Sequence, residues 1–484
     1  MVIRTLLVLV VLFATGCAVT GGAREEAEPT LIGDLPGQID TPESVVAEGD
    51  PQQPQEESKQ LEGEVPLAVA ESEETSEDIA EVVVQGRIRN RHEAIRDLVT
   101  EGRALLDDVE LEYVLTGKGK RRALRGRPVA FSLWSESQQQ WTVAQIELPR
   151  PPIKWKPGRK PLAFRNLTPD IDARHVKGTG AERLMFSFSR DGEPLKVYGR
   201  KFPVFDNGLV KRKRWAEVVR TAKPIVYLPF TEDTFDPGFV SGGKEFLVET
   251  VGKALEELRL AKVPSKAFPG ELLADVIPPQ VVTTLAVIEQ TDDTDYVQKQ
   301  ALAFDEVLSQ YGLKQEEAYR YSVSVARALG PMQFTNRRGN GTYSAVVRLC
   351  RDAKLDPVFE RGATNLLNAM KAAICLLDME LAAMRADIRL AYRDNPVVLG
   401  IFPVAAYNGG PRNVTKLYRV LSKMNVKLDE LSRLQDMSDS DSTVKCPCVW
   451  KSEGDTVRPV AIPRYNNENR WYIEKYQSIV SLFE

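Results

Sequence analysis

The segment from Asn365 to Met384 is apolar on nearly every side when it is placed on a helix. A helix of this kind is stable in water only if neighbouring elements cover it all round. Asn368, Lys371 and Asp378 interrupt the run, which argues against a membrane span. The segment therefore predicts a helix buried at the centre of an all-α domain.

Helical patterning continues on both sides of this segment and predicts the extent of the domain. It begins near Gly243, where Phe246, Val251 and Leu255 form an amphipathic stripe at helical spacing. Glycine and proline mark the turns between later helices, at Gly312, Gly330–Pro331, Gly339–Gly341, Pro357 and Gly409–Pro411. We expect an all-α domain over residues 243–484.

Short β-branched and aromatic runs characterise the preceding part of the chain. The clearest runs are Val129–Trp134, Gln140–Ile146 and Pro224–Leu228. They alternate as half-buried strands do and are bounded by turn residues. One helix is expected before them, between Arg87 and Leu111, with Gly102 as the only breaker inside it. The chain is thus predicted to be an α+β multidomain protein, with a mainly β N-terminal domain over residues 86–242.

The first seventeen residues have the layout of an export signal. Met1–Arg4 is basic, Leu6–Phe13 is apolar but too short to span a bilayer, and Ala14–Cys17 offers a small-residue cleavage site. Ala-Thr-Gly-Cys resembles the lipobox of bacterial lipoproteins, which implies a lipidated Cys17 as the membrane anchor. Ala18 in place of Asp implies, by the same resemblance, the periplasmic face of the outer membrane. An ordinary cleaved signal with an incidental cysteine is the alternative.

Residues 18–85 are strongly acidic, with 18 Asp and Glu against 2 Lys and Arg and no aromatic residue. Such a segment cannot bury enough apolar surface to offset its ordering entropy, so we expect a disordered, self-repelling tether. Residues 86–484 then carry a formal net charge of +11. A basic body suits a polyanionic partner, although a solvated charged surface explains the balance equally well. The export signal disfavours nucleic acid.

No motif in the β domain names a function. Lys118–Arg122 and Arg150–Pro157 are basic and offer contacts to the cell wall or to another protein, although exposed loops are the simpler interpretation. We therefore expect any envelope protein partner to bind through residues 86–242.

Four cysteines remain once Cys17 is set aside, namely Cys350, Cys375, Cys446 and Cys448. In an oxidising compartment they can pair, and four cysteines allow three connectivities. A bond between Cys446 and Cys448 would be strained, so we expect each to pair with a more distant cysteine. Zinc is a weak alternative because no histidine or second cysteine pair lies at ligand spacing, and we expect no metal and no cofactor.

Histidine is scarce, since the chain has only His92 and His175. A histidine-dependent catalytic triad is therefore disfavoured. We expect both histidines on the surface.

Glu289 is the candidate general acid. It ends an apolar segment that begins at Pro278, and in a helix it lies four residues after Leu285 and seven after Val282, on the apolar face. Burial disfavours the charged form of a carboxyl group, so Glu289 should remain protonated at higher pH than a free glutamate. Donation of a proton to a glycosidic oxygen needs such a group. A structural glutamate at a helix end is the alternative.

Four segments in order resemble the motifs of lytic transglycosylases, goose-lysozyme-like enzymes that cut the glycan strands of peptidoglycan. They are Ala286–Glu289, Gly330–Gln333, Ala406–Pro411 and Glu468–Tyr472. The resemblance covers residues 264–484 and implies a lysozyme-like all-α domain in which Glu289 is catalytic.

The resemblance also implies roles for other residues. Met332 and Gln333 would line the saccharide groove, and Tyr407 and Asn408 would hydrogen-bond near the reacting sugar or Glu289. Glu468 and Tyr472 would close the site from the C-terminal helix. The implied reaction cleaves the MurNAc–GlcNAc bond with formation of 1,6-anhydroMurNAc, and the implied partner is a peptidoglycan strand.

The chain departs from the family pattern at two places. Gln290 stands where the family usually has a serine after the glutamate, and forty-one positions separate Glu289 from Gly330, which implies an inserted helical hairpin around Tyr296–Tyr321. Both departures leave open a non-catalytic wall-binding or envelope-assembly lipoprotein on the same scaffold. A hydrolytic, lysozyme-type enzyme would need a second carboxylate as base, and the sequence offers no clear candidate.

Overall fold

A β-sheet region around residues 115–227 precedes a mostly helical C-terminal half in this computed structural model, so the chain is a mixed α/β protein. The structure describes residues 82–84, 87–119, 122–150, 160–178, 184–228, 230–299, 301–324, 326–336, 341–431, 448–453, 456–461 and 467–483. Cys17, Cys446 and the acidic segment 18–81 lie outside the described residues.

The strands are numbered in chain order. They are β1 (Val82–Val84), β2 (Arg87–Arg89), β3 (Leu115–Thr116), β4 (Ala123–Leu124), β5 (Gly126–Ser135), β6 (Gln140–Pro149), β7 (Arg165–Asn166), β8 (Asp172–Lys177), β9 (Met185–Arg190), β10 (Glu193–Val204), β11 (Lys223–Tyr227), β12 (Cys448–Glu453) and β13 (Thr456–Ala461).

The α-helices are numbered in the same way. They are α1 (Arg91–Asp107), α2 (Asn207–Lys211), α3 (Trp215–Arg220), α4 (Pro237–Leu260), α5 (Leu273–Val276), α6 (Pro279–Ile288), α7 (Asp293–Lys299), α8 (Ala301–Lys314), α9 (Thr342–Leu349), α10 (Phe359–Thr364), α11 (Leu366–Ala382), α12 (Ala386–Asp394), α13 (Ile401–Gly409), α14 (Pro411–Lys423) and α15 (Asn467–Ile479).

The main sheet has the strand order β7-β6-β5-β10-β9-β8, and β11 also pairs with β10. All of these pairings are antiparallel. The alternating runs 129–134, 140–146 and 224–228 fall on β5, β6 and β11, which confirms the strands predicted there.

The helix α1 lies close against this sheet, and small residues permit the contact. A Cβ atom on Gly102 would lie 2.8 Å from Oγ of Ser132, and one on Gly199 would lie 2.6 Å from the same oxygen. Lys201 of β10 donates from Nζ to the carbonyl oxygens of Leu106 and Asp107 at 2.8 and 2.7 Å, which satisfies the C-terminal end of the helix. Gly102, the breaker in the helical pattern, is thus a packing requirement.

The helix α11 is the centre of the helical half, as the sequence predicts, and most of its side chains are buried. Its one buried acid, Asp378, accepts hydrogen bonds from Oγ of Ser265 at 2.6 Å and from the backbone N–H of Lys266 at 2.7 Å. Burial of this carboxylate is therefore compensated by donors from the loop after α4.

Helices α4 and α8 cross at two glycines. A Cβ atom on Gly243 would lie 1.9 Å from the carbonyl oxygen of Leu308, and one on Gly312 would lie 2.0 Å from that of Phe239. The helices α7 and α8 lie between Glu289 and Gly330, where the resemblance implies an insertion around Tyr296–Tyr321. We call these residues the inserted segment; the segment is mostly helical, and its α8 packs directly on α4.

Tyr227, the last residue of β11, joins the sheet to the inserted segment. Nζ of Lys314, at the end of α8, donates to the Tyr227 hydroxyl at 2.8 Å and lies 4.2 Å from the centre of its ring. The ring of Tyr321 meets the ring of Tyr227 edge-on at 5.8 Å. We call these three residues the Tyr227 junction.

Three expectations are wrong. The domain over residues 243–484 is not all-α but mostly helical, because β12 and β13 form an antiparallel pair within it. Cys350, which follows α9, is bonded to Cys375 of α11, so neither is available to Cys446 or Cys448. His175 is buried, because its ring sits against Phe186 and its Nδ1 accepts a hydrogen bond from the backbone N–H of Leu162 at 3.1 Å.

Candidate active site

Glu289 lies at the point where the buried part of α6 reaches the surface. Every residue of α6 from Val281 to Ile288 is buried, because α6 packs in the core of the helical half. Glu289 follows directly as the C-terminal cap, with its N–H donating to the carbonyl oxygen of Leu285 at 3.0 Å. Both Glu289 and Gln290 are partly exposed. The carboxyl group is thus set into the core and still accessible to a ligand.

Tyr472 of α15 holds the carboxyl group of Glu289. The Tyr472 hydroxyl donates to Oε1 of Glu289 at 2.9 Å, and the Asn408 side chain hydrogen-bonds the same hydroxyl. Asn408 comes from α13, so three separate segments meet at one carboxyl group. The structure thus brings together Glu289, Asn408 and Tyr472.

Burial raises the pKa of Glu289 from its ordinary value of 4.5 to about 8. The hydrogen bond from Tyr472 and the positive charge of Lys475 act in the opposite direction, since both favour the carboxylate. The carboxyl group is therefore mostly protonated at neutral pH. A group in this state can donate a proton and later take one back.

Lys475 fixes the chain just after Glu289. Its side chain is only 1% exposed, and Nζ donates to the carbonyl oxygen of Thr291 and to Oδ1 of Asp293, both at 2.6 Å. It lies one helical turn after Tyr472, so one face of α15 holds both the acid and the loop that follows it. The sequence analysis did not single out Lys475, although its spacing from Tyr472 could have placed it on this face.

The turn from Gly330 to Phe334 lies beside Glu289 and depends on a glycine. Gly330 has φ +78°, and a Cβ atom there would lie 1.9 Å from the carbonyl oxygen of Ala363. The Tyr407 hydroxyl donates to the carbonyl oxygen of Met332 at 2.7 Å, which ties α13 to the turn. Burial raises the pKa of Tyr407, and the nearby negative charge of the Glu289 carboxylate raises it further.

Met332 and Gln333 differ in their exposure. The Met332 side chain is fully buried in the helical core, so the expectation that it lines a saccharide groove is corrected to a core role. Gln333 is partly exposed, but its Nε2 donates to Oγ of Ser322 at 3.1 Å and to the carbonyl oxygen of Gly330 at 2.8 Å. Both residues shape the turn from within.

Tyr311 of the inserted helix α8 is a further neighbour that the sequence analysis missed. It is fully buried, and among the described residues no atom forms a hydrogen bond with its hydroxyl group. The Glu289 charge adds to burial in raising its pKa, so the two groups lie within electrostatic range.

Glu468 falls on α15, but its side chain lies outside the described residues. In the described part of the chain, no group of three histidine, cysteine, aspartate or glutamate side chains is arranged to hold a metal ion. The same part contains no helix long and apolar enough to cross a bilayer.

Comparisons of the chain with protein family models, with curated proteins and with solved structures found no match.

Proposed function

We propose that the protein is a peptidoglycan lytic transglycosylase with Glu289 as its single general acid and base. The observation that carries the proposal is the Glu289 carboxyl group, which has a pKa of about 8 and accepts a hydrogen bond from Tyr472 at 2.9 Å. The meeting of the motif segments at this group adds support, because Tyr407 binds the turn at Met332 while Tyr472 binds the acid.

The first step is protonation of the oxygen that joins MurNAc to GlcNAc. Protonated Glu289 donates its proton to this oxygen, the C1–O4 bond breaks, and the N-acetyl oxygen of MurNAc bonds to C1 in its place. The charge that develops on the sugar is then shared with the substrate's own amide, so a second carboxylate is not required.

The second step returns the proton to Glu289. The carboxylate takes the proton of the MurNAc C6 hydroxyl, O6 bonds to C1, and the N-acetyl oxygen leaves. The product is a 1,6-anhydro sugar, and Glu289 is protonated again. Tyr472 suits both states, because its hydroxyl stabilises the carboxylate after the first step.

The remaining parts of the proposal follow from the sequence. We propose a lysozyme-like arrangement for the helical half, peptidoglycan strands as its partner, and a lipid anchor at Cys17 that places the protein at the periplasmic face of the outer membrane. The β-sheet region would then be the surface for any envelope protein.

A second candidate function is a non-catalytic wall-binding or assembly lipoprotein. The buried Met332 favours the assembly role, because its side chain is not open to a sugar. The raised pKa of Glu289 favours the enzyme, since a binding protein has no need of a neutral buried acid.

Purified sacculi separate these candidates. The mature protein, Glu289→Gln and the control Glu316→Gln, an exposed acid on the inserted segment, are incubated with sacculi and the soluble products are analysed by mass spectrometry. If the protein is a lytic transglycosylase, wild type and Glu316→Gln should release anhydro-muropeptides and Glu289→Gln should release none. Sacculi bound by wild type without release would favour the binding protein, and reducing-end products would indicate hydrolysis.

A further inference from the structure

Both ends of the Gln290 side-chain amide are engaged. Nε2 donates to the carbonyl oxygen of Pro331 at 2.7 Å and to that of Gly330 at 3.2 Å. Oε1 accepts a hydrogen bond from Oγ of Ser322 at 3.0 Å. An amide with these partners has little capacity left for a sugar, so its contribution is to hold protein against protein.

The turn that Gln290 holds has three consecutive carbonyl oxygens bound by side chains. Gln290 and Gln333 bind that of Gly330, Gln290 binds that of Pro331, and Tyr407 binds that of Met332. The Gly330 N–H also donates to the carbonyl oxygen of Ser322 at 2.9 Å. The backbone of the turn is therefore fixed from several directions.

Gln290 directly follows Glu289 in the chain, so its side-chain hydrogen bonds link the turn to the acid. The side chain that holds the turn belongs to the residue directly after Glu289. The position of the turn relative to the Glu289 backbone is therefore set by one peptide bond and by the Gln290 side chain. A serine at this position would end two bonds earlier along the side chain and could not make the same bonds to Gly330 and Pro331.

We propose that Gln290 is a positioning residue that, with Ser322, fixes the Gly330–Gln333 turn relative to Glu289. The proposal rests on the proposed function, since the turn matters to catalysis only if Glu289 is a catalytic acid. Gln290 is then a working replacement for the serine of similar enzymes, and Ser322, which directly follows the inserted segment, is part of the site.

The most direct test of the proposal is to replace Gln290 by the serine that similar enzymes have. Gln290→Ser, Ser322→Ala and the double variant are compared with Gln298→Ser, an exposed glutamine on α7, for kcat and KM on sacculi or soluble glycan strands. We expect Gln290→Ser to lower kcat about 10- to 100-fold with KM changed about twofold or less, because misplacement of reacting groups acts on the chemical step. The double variant should be no worse than Gln290→Ser, because the two residues act as one unit. Gln290→Ser as active as wild type, or more active, would overturn the proposal.

Hydrogen exchange provides a readout that does not need turnover. Exchange of the Gly330 N–H, followed by NMR in the full chain, should become at least about tenfold faster in Gln290→Ser and stay unchanged in Gln298→Ser. Unchanged exchange in Gln290→Ser would sink the positioning role even if wild type is active. If wild type releases no product, the proposed function fails, and faster exchange in Gln290→Ser would still establish that Gln290 fixes the turn.

Discussion

The Tyr472 hydroxyl donates a hydrogen bond of 2.9 Å to Oε1 of Glu289, although 183 positions separate the two residues in the sequence. The acid ends α6 and the phenol lies on α15, the last α-helix of the chain. The candidate site is therefore complete only when α15 is docked. The protonation state of Glu289 depends on that docking, because the phenol and Lys475 both favour the carboxylate.

The raised pKa of Glu289 predicts how stability changes with pH. Its folded pKa of about 8 exceeds the ordinary value of 4.5, so between these values the native state binds a proton that the unfolded state releases. This contribution to stability is fully present below pH 4.5 and is lost as pH rises to about 8. Thermal unfolding of wild type and Glu289→Gln from pH 4 to 9 checks this. As pH rises, the melting temperature of Glu289→Gln should increase relative to that of wild type. A difference that stays constant from pH 4 to 9 would contradict the raised pKa of Glu289.

Removal of the Tyr472 hydroxyl should change both the rate and its pH dependence. The hydroxyl favours the carboxylate, so Tyr472→Phe should raise the pKa of Glu289 further and move the alkaline limb of kcat/KM to higher pH. The rate should fall about tenfold or more, as for loss of a hydrogen bond to a charged group. The pH–rate profile with soluble glycan strands measures both effects.

Tyr418→Phe is the matched control for this variant, because the Tyr418 hydroxyl donates to a carboxylate away from the site, on Asp387, at 3.0 Å. Its profile should coincide with that of wild type. An alkaline limb that moves to lower pH in Tyr472→Phe would refute the role given to the phenol.

Lys475→Met should destabilise the protein and perturb the acid. The ammonium group is buried and binds the carbonyl oxygen of Thr291 and Oδ1 of Asp293, so its loss should lower the free energy of unfolding by about 1–3 kcal/mol. Loss of the positive charge should also raise the pKa of Glu289. Denaturant unfolding gives the first effect, and the alkaline limb of the rate profile gives the second.

Lys253→Met is the control for Lys475→Met, because Lys253 forms an ion pair on the surface. It pairs with Glu249, and both side chains are more than 60% exposed. It should change the free energy of unfolding by about 1 kcal/mol or less. Equal effects of the two substitutions would mean that burial of Lys475 is unimportant.

Two adjacent glycines of α4 should respond in opposite directions to substitution by alanine. Gly242→Ala should raise the free energy of unfolding by about 0.5–1 kcal/mol, because nothing lies within 4 Å of the added Cβ and alanine is the better helix former. Gly243→Ala should lower it by about 2 kcal/mol or more, because the Cβ would meet the carbonyl oxygen of Leu308 at 1.9 Å. Denaturant unfolding measures the free energy of unfolding of both variants. If both substitutions changed it in the same direction, the close crossing of α4 and α8 would be disproved.

Local pattern was sufficient for the parts of the fold that depend on neighbours in sequence. The apolar period that ends at Glu289 predicted a carboxyl group on a buried face, and the structure places Glu289 at the end of a buried helix. The continuous apolar run from Asn365 predicted the central helix for the same reason. Alternation in 129–134 and 140–146 predicted paired strands.

Residue spacing contains no information on which helices meet, so contacts between distant segments were predicted only where the resemblance implied them, as between Tyr472 and Glu289. A buried lysine such as Lys475 goes against the usual distribution of charge, and only its partners Thr291 and Asp293 explain it. Gln290 was recognisable as a departure, yet its bonds to Pro331 and Ser322 depend on a chain path that no spacing defines. The bond between Cys350 and Cys375 belongs to the one of three connectivities that the sequence analysis disfavoured, because the remaining two cysteines, Cys446 and Cys448, lie too close in sequence to pair without strain.

The Tyr227 junction has a consequence for how such a chain can be divided. Lys314 and Tyr321 belong to the inserted segment, and both rest on a tyrosine supplied by the sheet. A fragment that begins at residue 243 would lose this tyrosine and uncover the apolar surface around it, so we expect the fragment to be poorly soluble. The sheet and the helices α7 and α8 should accordingly be produced together, as one folding unit.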